Sequence, residues 1–254
     1  MSIERSSAVV IGSFELGESD RVVTFFTRKF GKVRGVAKAA RRTRSRFGSA
    51  LELFTLGELI FFDTGRSDLV RVDHFDIVRP FDGVRDDLAR LGHAAWMVEC
   101  VGRLTGERDP NTRVYGLLLR ALASVEEGVP PGRVAVTFGV RCVDALGHRL
   151  RTDACVACGR GLRGVAAGGV PIDVEGGGVV CPPCAALVAG VLTVSAGAVQ
   201  ALARLRATSW DEAASAPLGP VEAELRAVLE AQVAGLIGHT TRSARFLREI
   251  GRTR

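Results

Sequence analysis

The chain has 254 residues, 47% apolar and 24% charged, with a formal net charge of +6 and a pI near 9.4. That composition excludes disordered and collagenous classes and fits one large or two to three small globular domains. No uninterrupted apolar run is long enough for a transmembrane helix, and Met1-Ser2-Ile3-Glu4-Arg5 lacks the layout of a secretory signal. A cytoplasmic chain with reduced cysteines is therefore expected.

The first 80 residues read as all-β, with apolar or alternating runs at 8–14, 22–27, 32–37, 51–62 and 69–75. Turn signals at 17–20, 29–31 and 63–68 and a basic loop separate them. Five strands in that length suit a small Greek-key barrel such as the OB-fold, and an SH3-like barrel fits nearly as well.

Between Asp20 and Glu52 lie ten basic residues and no acid: Arg21, Arg28, Lys29, Lys32, Arg34, Lys38, Arg41, Arg42, Arg44 and Arg46. The rest of the chain sets 24 basic residues against 28 acidic ones, so the positive charge is one local patch. Its core, Lys38-Ala39-Ala40-Arg41-Arg42-Thr43-Arg44-Ser45-Arg46, joins two predicted strands through a loop expected to be mobile and exposed. Guanidinium forks match phosphate oxygens, and the hydroxyls of Thr43 and Ser45 add neutral contacts. Arg28, Lys29, Lys32, Arg34, Lys38, Arg41, Arg42, Arg44 and Arg46 are thus the candidate DNA-binding residues; the competing reading is a solvated basic loop. Ten of the twelve phenylalanines fall in the first 81 residues, where most should fill the barrel. Phe30 and Phe47, beside turns and the basic run, are the candidates for stacking on bases.

After Pro80 the apolar period lengthens from 2 to 3.6. Leu88, Leu91, Ala95, Val98, Val101 and Leu104 trace one helical face. Asp109-Pro110 predicts the cap of a second helix, and Pro130-Pro131 opens a third that stops at Gly147. Further helices start near Ser195 and Pro220, and the basic tail 241–254 suits a last one. Cys100 and Cys142 lie on apolar helix faces and read as core packing.

Cys155-x2-Cys158 and Cys181-x2-Cys184, 22 residues apart, form two knuckles able to close a tetrahedral four-thiolate site for one structural zinc ion. The gap slightly exceeds the usual one, and glycines at 164, 168, 169, 176, 177 and 178 absorb the insertion. Two redox cysteine pairs or four unpaired thiols are the alternatives. A site closed by four protein ligands leaves no position for water activation. No phosphate-binding loop, H-E-x-x-H or G-x-S-x-G occurs, and no G-x-G-x-x-G follows a predicted strand, so no enzyme is expected.

These residues resemble the RecO family of bacterial recombination mediators. The resemblance runs from Gly17-Glu18-Ser19-Asp20-Arg21-Val22-Val23-Thr24 through Gly31-Lys32, Val36-Ala37-Lys38 and Arg41-Arg42 to a strand at Leu51-Glu52-Leu53-Phe54. It continues through both cysteine knuckles to Arg242-Ser243-Ala244-Arg245-Phe246-Leu247. It departs at Ala39, where the resemblance implies glycine, and in the long glycine-rich insertion. It implies annealing of complementary strands, assistance to RecA on strands coated by single-stranded DNA-binding protein, and RecR as a partner.

The expected protein is α+β and multidomain: an N-terminal OB-fold β-barrel, then a helical bundle with an inserted four-cysteine zinc ribbon. Expected boundaries are 1–80 for the barrel, 81–151 and 191–254 for the helical domain, and 152–190 for the ribbon. The expected function is recombination mediation on single- and double-stranded DNA in the cytoplasm, at the nucleoid. Competing functions are a zinc-ribbon RNA-binding or translation-associated protein and, behind it, a nuclease with structural zinc.

Overall fold

A computed structural model describes residues 2–65, 67–161 and 169–252. Gly164 and Gly168 of the expected insertion, and residues 253–254 of the tail, lie outside the described residues. The chain folds as two compact units, 1–126 and 127–254.

The first unit opens with β1 (Ser2–Leu16), β2 (Asp20–Thr27), β3 (Gly31–Ala37), β4 (Leu56–Asp63) and β5 (Leu69–Arg79). They close into a barrel in the order β1-β2-β3-β5-β4. The β3–β5 pairing is parallel and the rest antiparallel, as in the OB-fold. β1 pairs over Ser2–Val9 with β4 and over Ala8–Leu16 with β2, and a bulge between Val10 and Gly12 interrupts the second pairing. Alternate residues fill the interior: Val10, Val23, Phe25, Val33, Leu59, Phe61, Val70 and Val72 are all buried there.

Residues 51–55 are not a strand. They end a chain of tight turns, with Ala50 N–H donating to Phe47 O, Glu52 N–H to Ser49 O and Thr55 N–H to Glu52 O. Phe54 then takes a left-handed φ of 76° while fully buried. A bulky side chain is strained there, and burying the ring offsets that strain. An apolar run this short cannot be told from a strand by periodicity.

Helices α1 (Leu88–Leu104) and α2 (Thr112–Glu126) belong to the same unit as the barrel. The Asp87 carboxylate caps α1 by accepting from the amides of Ala89 and Arg90. Of the expected α1 face, Val98 and Val101 are buried but Leu88 is exposed. The cap of α2 is Asn111, whose Oδ1 accepts from Val114 N–H at 3.0 Å, and not Asp109. Asp109 is engaged elsewhere: its backbone lies against Gly31, where an added Cβ would fall 2.1 Å from the Asp109 carbonyl oxygen.

The second unit holds α3 (Pro131–Ala145), α5 (Ala196–Ala207), α6 (Trp210–Ser215), α7 (Val221–Ile237) and α8 (Arg242–Arg252). Between α3 and α5 come β6 (Val170–Asp173), β7 (Gly178–Val179), α4 (Pro182–Ala185) and β8 (Leu192–Val194), a small sheet ordered β7-β6-β8. Arg206 of α5 ties α3 through paired bonds of 2.8 and 3.1 Å to the Asp144 carboxylate. Sequence periodicity missed α6, although a complete capping box between Ser209 and Glu212 marks its start. No described helix is long and apolar enough to cross a membrane.

Candidate nucleic-acid interface and metal centre

The basic run is continuous in sequence and divided in space. Arg28 and Lys29 sit in the β2–β3 turn, whereas Lys38, Arg41, Arg42, Arg44 and Arg46 follow β3 at its other end. A seven-residue strand separates its ends by about 20 Å. Lys32 and Arg34 lie between them on β3, the Lys32 side chain largely covered by protein and that of Arg34 partly exposed. Lys32 Nζ donates to the carbonyls of Gly102 and Thr105 at 2.8 Å each, closing the C-terminus of α1. Both cations also approach the Glu107 carboxylate, at 3.7 and 3.4 Å.

The 38–55 connection is built in place. Ala39 turns it with a left-handed φ of 57°, and its amide donates to Asp20 Oδ1 at 2.8 Å. That bond, with help from Ser19 Oγ, holds the Asp20 carboxyl below the usual carboxylate range. Arg41 reaches back to the β1–β2 hairpin, donating to Gly17 O at 3.1 Å and pairing with Glu15 at 3.1 Å. Successive turns then carry the chain over Phe47, Ala50 and Leu51, all packed into the barrel core. A connection with three side chains in the core is not the free loop expected from sequence.

Phe47 is only 5% exposed, with the Arg46 guanidinium 5.0 Å from its ring centre, so it offers no face to a base. Phe30 is half-buried and meets Phe61 edge-on at 5.5 Å. Arg46 is held by Val72 O at 3.4 Å and by Asp73 at 3.9 Å. Lys38, Arg42 and Arg44 are exposed, and among the described residues none of them forms an ion pair. These three are the cations left free to bind an anion at this end of the barrel. The same holds for Arg28 and Lys29 at the other end.

Beside Lys29 and Phe30 opens a groove of about 990 Å³, also lined by Arg34, Asp63, Glu107 and Arg108. Four of its charged groups are paired with one another, Arg34 with Glu107 and Arg108 with Asp63, whereas Lys29 forms no ion pair among the described residues. Arg108 pairs with Asp63 at 2.8 Å, and the Asp63 carboxyl is held low, first by the Gly65 amide and then by Arg108. Arg71, outside the basic run and unnoticed in sequence, is exposed and lies 4.3 Å over the Phe62 ring.

In the second unit the four knuckle cysteines converge, with their sulfurs all within 4.8 Å of one another. Cys155 opens a tight turn in which Gly159 N–H returns to Cys155 O, with Gly159 at a φ of 75°. Cys181 caps α4 and Cys184 lies within it. The set suits a tetrahedral metal: Cys158 and Cys181 Sγ are 3.8 Å apart, and metal–sulfur bonds of about 2.3 Å give a tetrahedral edge of about 3.8 Å. The thiols also interfere with one another's ionisation. Cys155, receiving the Cys181 amide at 3.3 Å, is held down to about 6, while Cys184, sharing protons with Cys181 and Cys158, is pushed up to about 12. A divalent cation relieves that conflict by letting all four act as thiolates. His148 is exposed and stands outside the cluster, and Cys100 and Cys142 are buried helix residues.

The family profile described as recombination protein O N terminal matches residues 1–81, and its C-terminal counterpart matches residues 85–245. A DNA repair protein RecO from Anaeromyxobacter sp. (strain Fw109-5) is 37% identical over 246 residues, 96% of this chain and 95% of that protein. One from Frankia casuarinae is 41% identical over 219 residues, covering 84% of this chain and 85% of its own. One from Rubrobacter xylanophilus is 35% identical over 235 residues, 92% of each chain.

Proposed function

The chain belongs to the RecO family of DNA repair proteins, and we propose that it acts as a recombination mediator on DNA. In this reading it binds single and double strands through phosphates, anneals complementary strands and assists RecA on strands coated by single-stranded DNA-binding protein, with RecR as partner. The observation that carries the reading is the group of Lys38, Arg42 and Arg44, exposed on one held connection and, among the described residues, in no ion pair. Two complementary strands repel each other. A cationic surface that holds each by its phosphates lowers that repulsion and leaves base edges free to pair.

The four cysteines hold one zinc ion, which fixes the fold of the segments that carry them and performs no chemistry. No covalent step on DNA is assigned to this chain.

Annealing of two labelled complementary oligonucleotides, bare or coated with single-stranded DNA-binding protein, tests the reading. The wild-type chain should accelerate duplex formation in both cases, and K38A/R42A/R44A should lose most of that acceleration. The strands should come through intact in the presence of magnesium. No acceleration by the wild-type chain, or cleaved DNA, contradicts the proposal.

A further inference from the structure

Strand register places Phe14 of β1 opposite Val22 of β2, Val22 opposite Val36 of β3, and Val36 beside Arg71 of β5. Paired residues share a face of the sheet. The alternate residues Val23, Val33, Val70 and Val72 fill the barrel interior, so the row from Phe14 to Arg71 lies on its exterior. The next exterior row is Gly12, Thr24, Arg34 and Leu69.

Phe14 is 55% exposed, more than any other aromatic side chain; Phe246, in the second unit, follows at 37%, and Phe30 and Phe62 are partly buried. Its same-face neighbours along β1 are Gly12, which carries no side chain, and the exposed Leu16. A Cβ at Gly12 would meet only the Thr24 side chain, at 3.8 Å, so that position on the strand is bordered by a small polar side chain. Two of the acids on the same hairpin are engaged: Glu15 pairs with Arg41, and Asp20 accepts from the amide of Ala39, while Glu18 is exposed at the turn. The Arg41 contacts also fasten this hairpin to the connection that presents Lys38, Arg42 and Arg44.

We propose that Phe14 is the platform on which this barrel stacks one unpaired base of a single strand. The inference rests on the DNA-binding reading above and adds to it a residue that recognises bases and not phosphates. Charge complementarity selects the occupant. The hairpin that carries the ring is tied through Arg41 to the connection that carries Lys38, Arg42 and Arg44, cations that attract a polyanion. Stacking on a ring tolerates any base because every base has a π-face. Sequence reasoning placed this role on Phe30 and Phe47, whose rings are taken up by the barrel.

The test compares the full-length chain on an oligothymidylate and on an abasic strand with the same phosphates, at matched salt. Replacing Phe14→Ala should weaken binding to the base-bearing strand about tenfold, with binding to the abasic strand unchanged. Phe14→Trp should keep the affinity, and its indole should be quenched by the base-bearing strand alone. That signal is readable because Trp96 and Trp210 are each only 4% exposed. Equal binding of F14A and wild type to the base-bearing strand overturns the proposal, as does an equal loss on both strands. A wild-type chain that binds neither strand overturns the DNA-binding reading together with it.

Discussion

Ala39 shows how one residue sets the course of the cationic connection. It turns the chain at a φ of 57°, in the region where a Cβ crowds the backbone. The Asp20 carboxylate holds the turn by accepting the Ala39 amide at 2.8 Å. The family resemblance implies glycine here, and the conformation supplies the reason. Ala39→Gly should remove the crowding while keeping the amide bond, and stabilise the protein by about 0.5–1 kcal/mol after the added flexibility of the unfolded chain is counted. The midpoint of urea unfolding reads the change, and a midpoint below wild type would contradict it. Lys32 illustrates the opposite limit of sequence reading. It stands in the basic run like its neighbours, yet its ammonium serves the end of α1. Nothing in residue type or spacing separates a lysine that closes a helix from one that meets phosphate.

The two cysteine knuckles were legible from spacing alone, because two intervening residues already fix how two sulfurs share a centre. The barrel strands were legible from alternation, since one face of each is buried. Residues 51–55 were not: Leu51 and Phe54 enter the core from turns, and an apolar turn looks like a short strand. Phe47 was misplaced for the same reason, since adjacency to arginines says nothing about which way a turn faces. Cys181→Ser should abolish zinc binding, taking elemental analysis from one zinc per chain to none. Three thiols leave the tetrahedron open, and metal binding supplies folding free energy to such modules. Amides around 151–161 and 178–185 should then exchange rapidly while those of β1–β5 stay protected. A zinc-free wild-type chain purified without chelator would contradict the metal assignment.

Across the whole molecule, the net charge of +6 hides a contrast between a cationic barrel segment and a slightly acidic remainder. Binding dominated by one such segment should depend steeply on salt and weakly on sequence, because phosphates carry no base identity. Within its 38–46 connection, the ion pairs of Arg41 and Arg46 leave Lys38, Arg42 and Arg44 as the cations free for DNA. Each phosphate neutralised on a single strand adds about 0.7 to the slope of log affinity against log salt. The most direct measurement is therefore that slope for wild type and for K38A/R42A/R44A on one single-stranded oligonucleotide. The triple variant should flatten it by about 2 units with zinc content and unfolding midpoint unchanged. An unaltered slope would place the DNA elsewhere on the protein and contradict the account.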